Sequence, residues 1–372
     1  MKFVIILTGG RSGSDLLQSL FDGHPQILQF PAAFGIGGDF IKRFDDILYE
    51  KDPKKISHMF CDLNPHFFDS RIQNDERHHM LGKNKKSFYK VNTRIFEKNF
   101  IYYFNKSKKK KIDMLIALHK AYARASNQTL NKKKIIILHL HLIMWFKNFR
   151  KHFNTINDFK ILLTLRDPLV SLCSTVNHWL KYHSGKYLYT KSIYDNIEMH
   201  VNIFNELHEF RKKVFVVQLE NLHLKSNKVL KDLCKLLKID YKNSLKKSTY
   251  FNKIWWGDQI SKKFLNGLNL KFKNNFDKKI FFDKDIKIIE NKIKNILINY
   301  NYPIRSKLKI KTKYITFLPL KLELIVWFNC LKIKNFKQFM QIPFYLIKRL
   351  VIFSQKNLYN KNNLPYSIGT NN

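Results

Sequence analysis

With 372 residues and 45% hydrophobic content, the chain is long enough for one large domain or a domain with an appendage, and wholesale disorder is excluded. The formal net charge of +40 points to anionic partners, but the lysines are spread along the chain, and no zinc-finger, RNA-recognition or basic-zipper pattern makes a dedicated nucleic-acid module. Four widely spaced cysteines (Cys61, Cys173, Cys234, Cys330) frame neither a disulfide scaffold nor a metal site, and no apolar run nears the ~18 uncharged residues of a membrane span.

The chain opens on an apolar run, Phe3 to Leu7, that ends in glycines, the pattern of a strand buried on both faces. That strand starts too early to leave room for a signal peptide, and with the scattered thiols this predicts a cytoplasmic protein. Leu16, Leu17, Leu20 and Phe21 then recur at helical spacing, and the break falls at Gly23-His24-Pro25. Between strand and helix, Gly9, Gly10 and Gly13 permit backbone angles that let successive N–H groups converge on one anion. Ser12 or Ser14 is placed to cap the helix, whose positive end favours the same anion. Arg11 adds a planar cation suited to phosphate or sulfate. The lysine and hydroxyl of a nucleoside-triphosphate loop are missing, because Gly13 is followed by Ser14-Asp15.

Ile27 to Phe30 reads as a second strand closed by Pro31, and Phe34 to Asp39 as a loop over the cradle. Residues 41–130 read as helical, with lysine-rich connections near 81–90 and 105–111. Their histidines (His58, His66, His78, His79, His119) match no zinc spacing and are expected in loops or at the surface. Strands follow within Lys134–Phe146, at Phe159–Leu165 and at Val214–Leu219. Helical spacing runs over 170–179 and 193–211, and Leu222 to Leu237 reads as one amphipathic helix. Strands alternating with helices predict an α/β fold in three layers, a parallel central sheet with helices on both faces.

Arg166 stands where a buried strand gives way to a helix, so in an open parallel sheet it would face the same crevice as Arg11. Ser174, eight positions on, is placed to share a second anion with it. The expected layout is an α/β domain over 1–270, a helical or amphipathic C-terminal extension over 271–356, and a disordered tail over 357–372. Leu318 to Leu350, rich in large apolar residues broken by Lys and Glu, is expected to pack on the domain. The alternative is that it lies on an anionic membrane surface or a partner, which would make the protein peripheral at the inner membrane surface.

Arg11-Ser12-Gly13-Ser14-Asp15-Leu16-Leu17, followed by Phe21-Asp22-Gly23-His24-Pro25, resembles the sulfotransferase family, and so does the Arg166-Asp167-Pro168 turn with Ser174. That resemblance covers about the first 260 residues and implies a P-loop NTPase-like fold. It implies 3′-phosphoadenosine 5′-phosphosulfate as co-substrate. Gly10, Arg11, Ser12, Gly13, Ser14 and Asp15 would bind its 5′-phosphosulfate, and Arg166 with Ser174 its 3′-phosphate. Such transfer needs a base for the acceptor hydroxyl and cations for the leaving phosphate. Arg11 and the loop amides serve the second need, so no metal is required.

For the base, His139 and His141 lie two apart on a strand and share a face. By the resemblance His141 is the base and His139 stands where the family carries lysine; that lysine and the following proline are absent here. Asp39 is the other candidate. Glu220-Asn221-Leu222 resembles a structural turn of the family. Lys253 to Asp258 resembles a loop over the nucleotide, with Trp255 or Trp256 either stacking on adenine or packing in the core. The expected reaction moves a sulfuryl group to a hydroxyl of a carbohydrate or small molecule. The alternatives are a nucleotide-dependent phosphotransferase, or a basic protein that binds nucleic acid or membrane without catalysis.

Overall fold

The computed structural model describes residues 1–34, 46–72, 81–182, 190–257, 267–332, 340, 342–360 and 362–370. Eight strands lie among them: β1 Lys2–Thr8, β2 Ile27–Leu28, β3 Ile135–Leu142, β4 Phe159–Leu165, β5 Val214–Gln218, β6 Thr249–Tyr250, β7 Lys253–Ile254 and β8 Tyr366–Ser367. The first principal helices are α1 Ser14–Leu20, α2 Pro53–Leu63, α3 Thr93–Asn105, α4 Lys111–Ala125, α5 Ile143–His152 and α6 Pro168–Tyr182. They are followed by α7 Thr190–Glu206, α8 Ser226–Leu237, α9 Asp283–Lys292, α10 Lys321–Lys332 and α11 Ile342–Ser354.

Six strands form one sheet in the order β2-β3-β1-β4-β5-β8, every pair parallel, and β6 pairs with β7 as a separate antiparallel hairpin. Alternate residues of β1 feed two different cores. Phe3, Ile5 and Leu7 join an aromatic-rich cluster with Phe60 of α2, Phe96 and Phe100 of α3 and Leu118 of α4. Val4 and Ile6 join Leu17 and Leu20 of α1 with Val229, Leu230 and Leu233 of α8. Helices therefore cover both faces, which is why the central strands read as unbroken apolar runs. The α/β, three-layer parallel fold expected from the sequence is present.

After β1 the chain runs to the β2 edge, and after β4 it runs the other way, to β5, beyond which β8 forms the opposite edge. The direction reverses between neighbouring strands β1 and β4, the point at which an open parallel sheet leaves a crevice at the carboxyl ends of its strands.

Three expectations are corrected. The helix read over Leu222–Leu237 is two, Leu219–Leu224 and α8, with Lys225 between them, because the apolar spacing runs through a break in backbone angles at Lys225 (φ −121°, ψ 33°). His66 and His119 are buried; His119 donates through Nδ1 to the Leu115 carbonyl one turn back in α4 and is a core histidine. The stretch expected to be a disordered tail supplies β8. Ile368 is buried and donates its N–H to the Val216 carbonyl at 2.9 Å, Ser367 donates to Gln218 Oε1 at 2.9 Å, and Tyr300 donates to the Pro365 carbonyl at 2.9 Å. Two residues are too short to show a period in sequence; they are ordered by the open edge of β5.

Of the extension, α10 and α11 pack on α7. Buried Glu323 accepts from the Tyr194 hydroxyl, from Arg349 Nη1 at 2.5 Å and from the Leu320 N–H at 2.5 Å, so the ion pair joins α10 to α11 and the tyrosine ties the pair to α7. No helix among the described residues is long and apolar enough to cross a membrane. Replacing Ile368 by Ala is expected to cost about 2–4 kcal/mol, read as a lower midpoint in urea unfolding. An unchanged midpoint would return residues 357–372 to the disorder their composition suggests.

Candidate functional site

The crevice is built first from the turn after β1. Gly10 has φ 107°, Arg11 φ 42° and Gly13 φ 82°, a run of left-handed residues that curls the backbone into a concave loop. Neither serine caps α1, contrary to expectation: the N-cap is Gly13, and it brings no side-chain cap. The hydroxyls are used elsewhere. Ser12 Oγ donates to the Gly10 carbonyl at 2.7 Å, and Ser171 Oγ of α6 donates to the same oxygen at 2.6 Å. These bonds hold the Gly10 carbonyl inside the protein, so its negative end does not meet an anion in the loop. His200 of α7 backs Ser171, with Nε2 at 3.0 Å from Oγ and Nδ1 donating to the Asn196 carbonyl at 2.7 Å. A side chain at Gly9 or Gly10 would press on Ile203 or Met199 of α7, which covers the loop from behind.

His139 and His141 end β3 beside α1, their rings edge to face at 5.5 Å. Ile6 pairs with His139 and Leu7 with His141, so Leu140 is an extra residue, and His141 takes a left-handed φ of 63°. A positive φ is uncommon outside glycine, although histidine adopts it more readily than most, and the bulge re-aims this side chain relative to a regular strand. Gln18 Nε2 donates to the carbonyls of Phe30 (2.9 Å) and Ala32 (3.1 Å), which turns Oε1 toward His139 Nδ1 at 2.7 Å. That network requires the proton on Nδ1 and leaves the lone pair of His139 on Nε2. Asp15 Oδ1 lies 3.8 Å from the same Nδ1, and Ser14 Oγ lies 3.4 Å from His141 Nδ1. Buried His139 is the fixed member of the pair; half-buried His141 is the one open to the crevice. Asp15, His139 and His141 bring donor atoms within 4.8 Å of one another, a set able to gather around a divalent cation.

The second half of the crevice follows β4. Arg166 Nε donates to Asn274 Oδ1 at 3.0 Å, and its guanidinium lies 5.8 Å from the centre of the Phe272 ring, which is stacked on His223 at 4.5 Å. Burial lowers the proton affinity of Arg166; Glu220 opposes that shift and the Arg11 charge adds to it. Glu220 organises this side, accepting from the Asp167 N–H at 3.1 Å, Asn274 Nδ2 at 2.6 Å and the Tyr302 hydroxyl at 3.3 Å. Asp167 is fully buried, caps α6 by accepting from the N–H groups of Leu169 and Val170, and is paired with Arg305. Ser174 is half-buried on the α6 face that carries Ser171 and Thr175, one turn beyond Ser171. No hydrogen bond to Arg166 joins it among the described residues; Asn274 takes that place.

Trp255 is buried edge to face with Tyr250 at 5.1 Å, and Trp256 donates to the Gly82 carbonyl at 2.8 Å under the Lys85 ammonium. Both tryptophans pack the hairpin onto residues 81–87, the core alternative of the two considered. The aromatic group beside Arg166 is Phe272, which sequence reasoning did not single out, and neither Ser171, His200, Gln18 nor Asn274 was legible as a site residue. Asp39 and the loop Gly35–Asp39 lie outside the described residues. His24 is structural, bonded through Nε2 to the Asp240 carbonyl at 2.9 Å.

No protein-family model matches the chain, and no curated protein matches it. Among solved structures it is similar to the sulfotransferase domain from the Synechococcus PCC 7002 olefin synthase, at 14% identity and TM-score 0.38, covering 71% of this chain and 80% of that one. It is also similar to the sulfotransferase domain from the curacin biosynthetic pathway, at 14% identity and TM-score 0.38, covering 81% of this chain and 98% of that one. So distant a likeness adds nothing to what the residues themselves say.

Burial holds His119, His200 and His223 neutral, each pushed down to about 4 from an ordinary 6.5. Between those values the unfolded chain binds protons that the folded chain refuses, so stability is complete above about pH 6.5 and falls as pH drops toward 4. Urea unfolding is expected to show a lower midpoint at about pH 5 than at about pH 7. A flat profile would mean that these rings are hydrated.

Proposed function

We infer that this protein is a sulfotransferase, moving a sulfuryl group from 3′-phosphoadenosine 5′-phosphosulfate to a hydroxyl of a carbohydrate or small molecule. The observation that carries the reading is the placement of Arg11 and Arg166, which follow the carboxyl ends of the adjacent parallel strands β1 and β4. Two cations held apart on one sheet suit a ligand with two anionic groups.

The residues fit such a ligand. The left-handed turn from Gly10 to Gly13 and the uncapped first turn of α1 offer N–H donors to the 5′ group, with the Gly10 carbonyl tied back. Arg11 adds the charge that stabilises the leaving phosphate. Arg166, braced by Asn274, receives the 3′-phosphate, with Ser174 on the neighbouring helix face. Phe272 supplies an aromatic face at the same place. The donor brings the activated sulfuryl group; the chain orients it and removes one proton. His141 takes that proton from the acceptor hydroxyl, and His139, fixed by Gln18, packs against it.

One observation favours a second reading, nucleotide-dependent phosphoryl transfer. The Asp15, His139 and His141 set could hold the divalent cation that such chemistry uses. Against it stands the missing loop lysine.

Calorimetric titration with 3′,5′-adenosine bisphosphate, beside ATP with magnesium, separates these readings. Tight binding of the bisphosphate, weakened roughly ten- to hundredfold in Arg166→Ala, is the expected result. A basic surface that binds anions by bulk charge would lose little, since one charge of forty is gone. Binding of ATP alone would favour phosphoryl transfer. His141→Ala is expected to leave bisphosphate affinity intact and to lower turnover by roughly 10²–10⁴; full activity in that variant would remove His141 as the base.

A further inference from the structure

Ten of the large apolar residues that stand exposed in the described chain fall between Ile310 and Val351. On α11, Phe344 (73% exposed), Ile347 (63%) and Val351 (50%) recur at three- and four-residue spacing and form one solvent-facing stripe. The opposite side of the same helix is engaged, since Arg349 and Ile352 are buried. On α10, Phe328 (69%) and Leu331 (47%) face out while Leu322 and Val326 face in. Both helices are therefore apolar on two sides, and only one side is used by the fold. Soluble domains rarely leave such stripes bare without a partner for them.

The charge around the stripes selects that partner. From Lys307 to Lys356 the sequence has eleven Lys or Arg and a single acid, Glu323. Glu323 is itself buried and neutralised by Arg349, so the exposed surface of this segment carries no carboxylate. A second copy would bring the same cations and another +40 of net charge against it. Nucleic acid would satisfy the lysines but offers nothing to phenylalanine and isoleucine stripes on helix faces. An anionic lipid surface satisfies both, with apolar side chains entering the acyl boundary and lysines reaching the headgroups.

We propose that α10 and α11 are a docking surface for an anionic membrane leaflet, on which the protein sits peripherally. The Glu323–Arg349 pair and the contacts of both helices with α7 hold that surface rigid before it meets lipid. Lys348, paired with Asp195 of α7 at 2.7 Å, adds a second tie between α11 and the domain.

The test is flotation of the full chain with phosphatidylcholine vesicles, with and without phosphatidylserine, at low and high salt. The comparison is the double variant Phe344→Ser, Ile347→Ser, which leaves the charge unchanged and touches no buried residue. Binding to the phosphatidylserine vesicles that falls at least tenfold in the variant supports the proposal. Equal binding by both forms would overturn it in favour of bulk charge, and absence of binding to either vesicle would overturn it outright. Sedimentation velocity gives a further outcome: a dimer dispersed by the same substitutions would assign the stripes to a second copy. If Ser substitution lowers the thermal midpoint, Phe344→Lys, which raises the charge while removing the apolar group, replaces it. Stronger binding by that variant would again indicate charge alone.

Discussion

A loop of converging N–H groups keeps an open concave face only if its carbonyl oxygens point elsewhere, and one of those oxygens, that of Gly10, is held by two side chains. These hydroxyls, from Ser12 beside it and Ser171 of α6, bind that oxygen inside the protein. Ser171 has only one proton, and His200, whose Nδ1 proton goes to Asn196, competes for it through Nε2. The loop is thus tied to both α6 and α7. The helix that braces it is the one whose first turn follows Arg166 and is capped by Asp167. The two halves of the crevice are consequently parts of one mechanical unit. Arg305, paired with Asp167, extends that unit into the segment after α9.

What the sequence discloses of the fold follows from burial. β1, β4 and β5 are covered on both faces, and a strand in that position must be apolar throughout, so all three are visible as runs of Val, Ile, Leu and Phe. The two-residue strands β2 and β8 carry no such signal. They exist because β3 and β5 have free edges at the right register, a property of the assembled sheet. The break at Lys225 is equally hidden, because apolar spacing continues through it while the backbone angles do not.

The site divides in the same way. Arg166 was legible because a charged residue directly after a buried strand has few places to point except the crevice, and Arg11 because it stands among the glycines of the turn that follows one. Gln18, Ser171 and His200 were not, since each acts through a partner more than a hundred residues away in sequence or through a helix face that any polar residue could occupy. The bulge at Leu140 leaves alternation of apolar and polar residues intact, so the left-handed His141 could not be foreseen. Asn274 and Phe272 complete the surroundings of Arg166 from beyond the stretch in which the motifs lie.

The pairing of β5 with β8 has a consequence for the order of events during synthesis. Phe215 and Val216 emerge from the ribosome long before Tyr366 and Ser367, their partners. At ordinary elongation rates that interval is on the order of ten seconds, far longer than local helices need to form. Throughout it the outer rim of β5 presents unpaired amides and carbonyls on an otherwise assembled sheet, the state in which a nascent chain is most exposed to adventitious strand addition. Closing the sheet so late makes Tyr366 and Ser367 its seal, and it extends the demand for chaperone protection until they have been made.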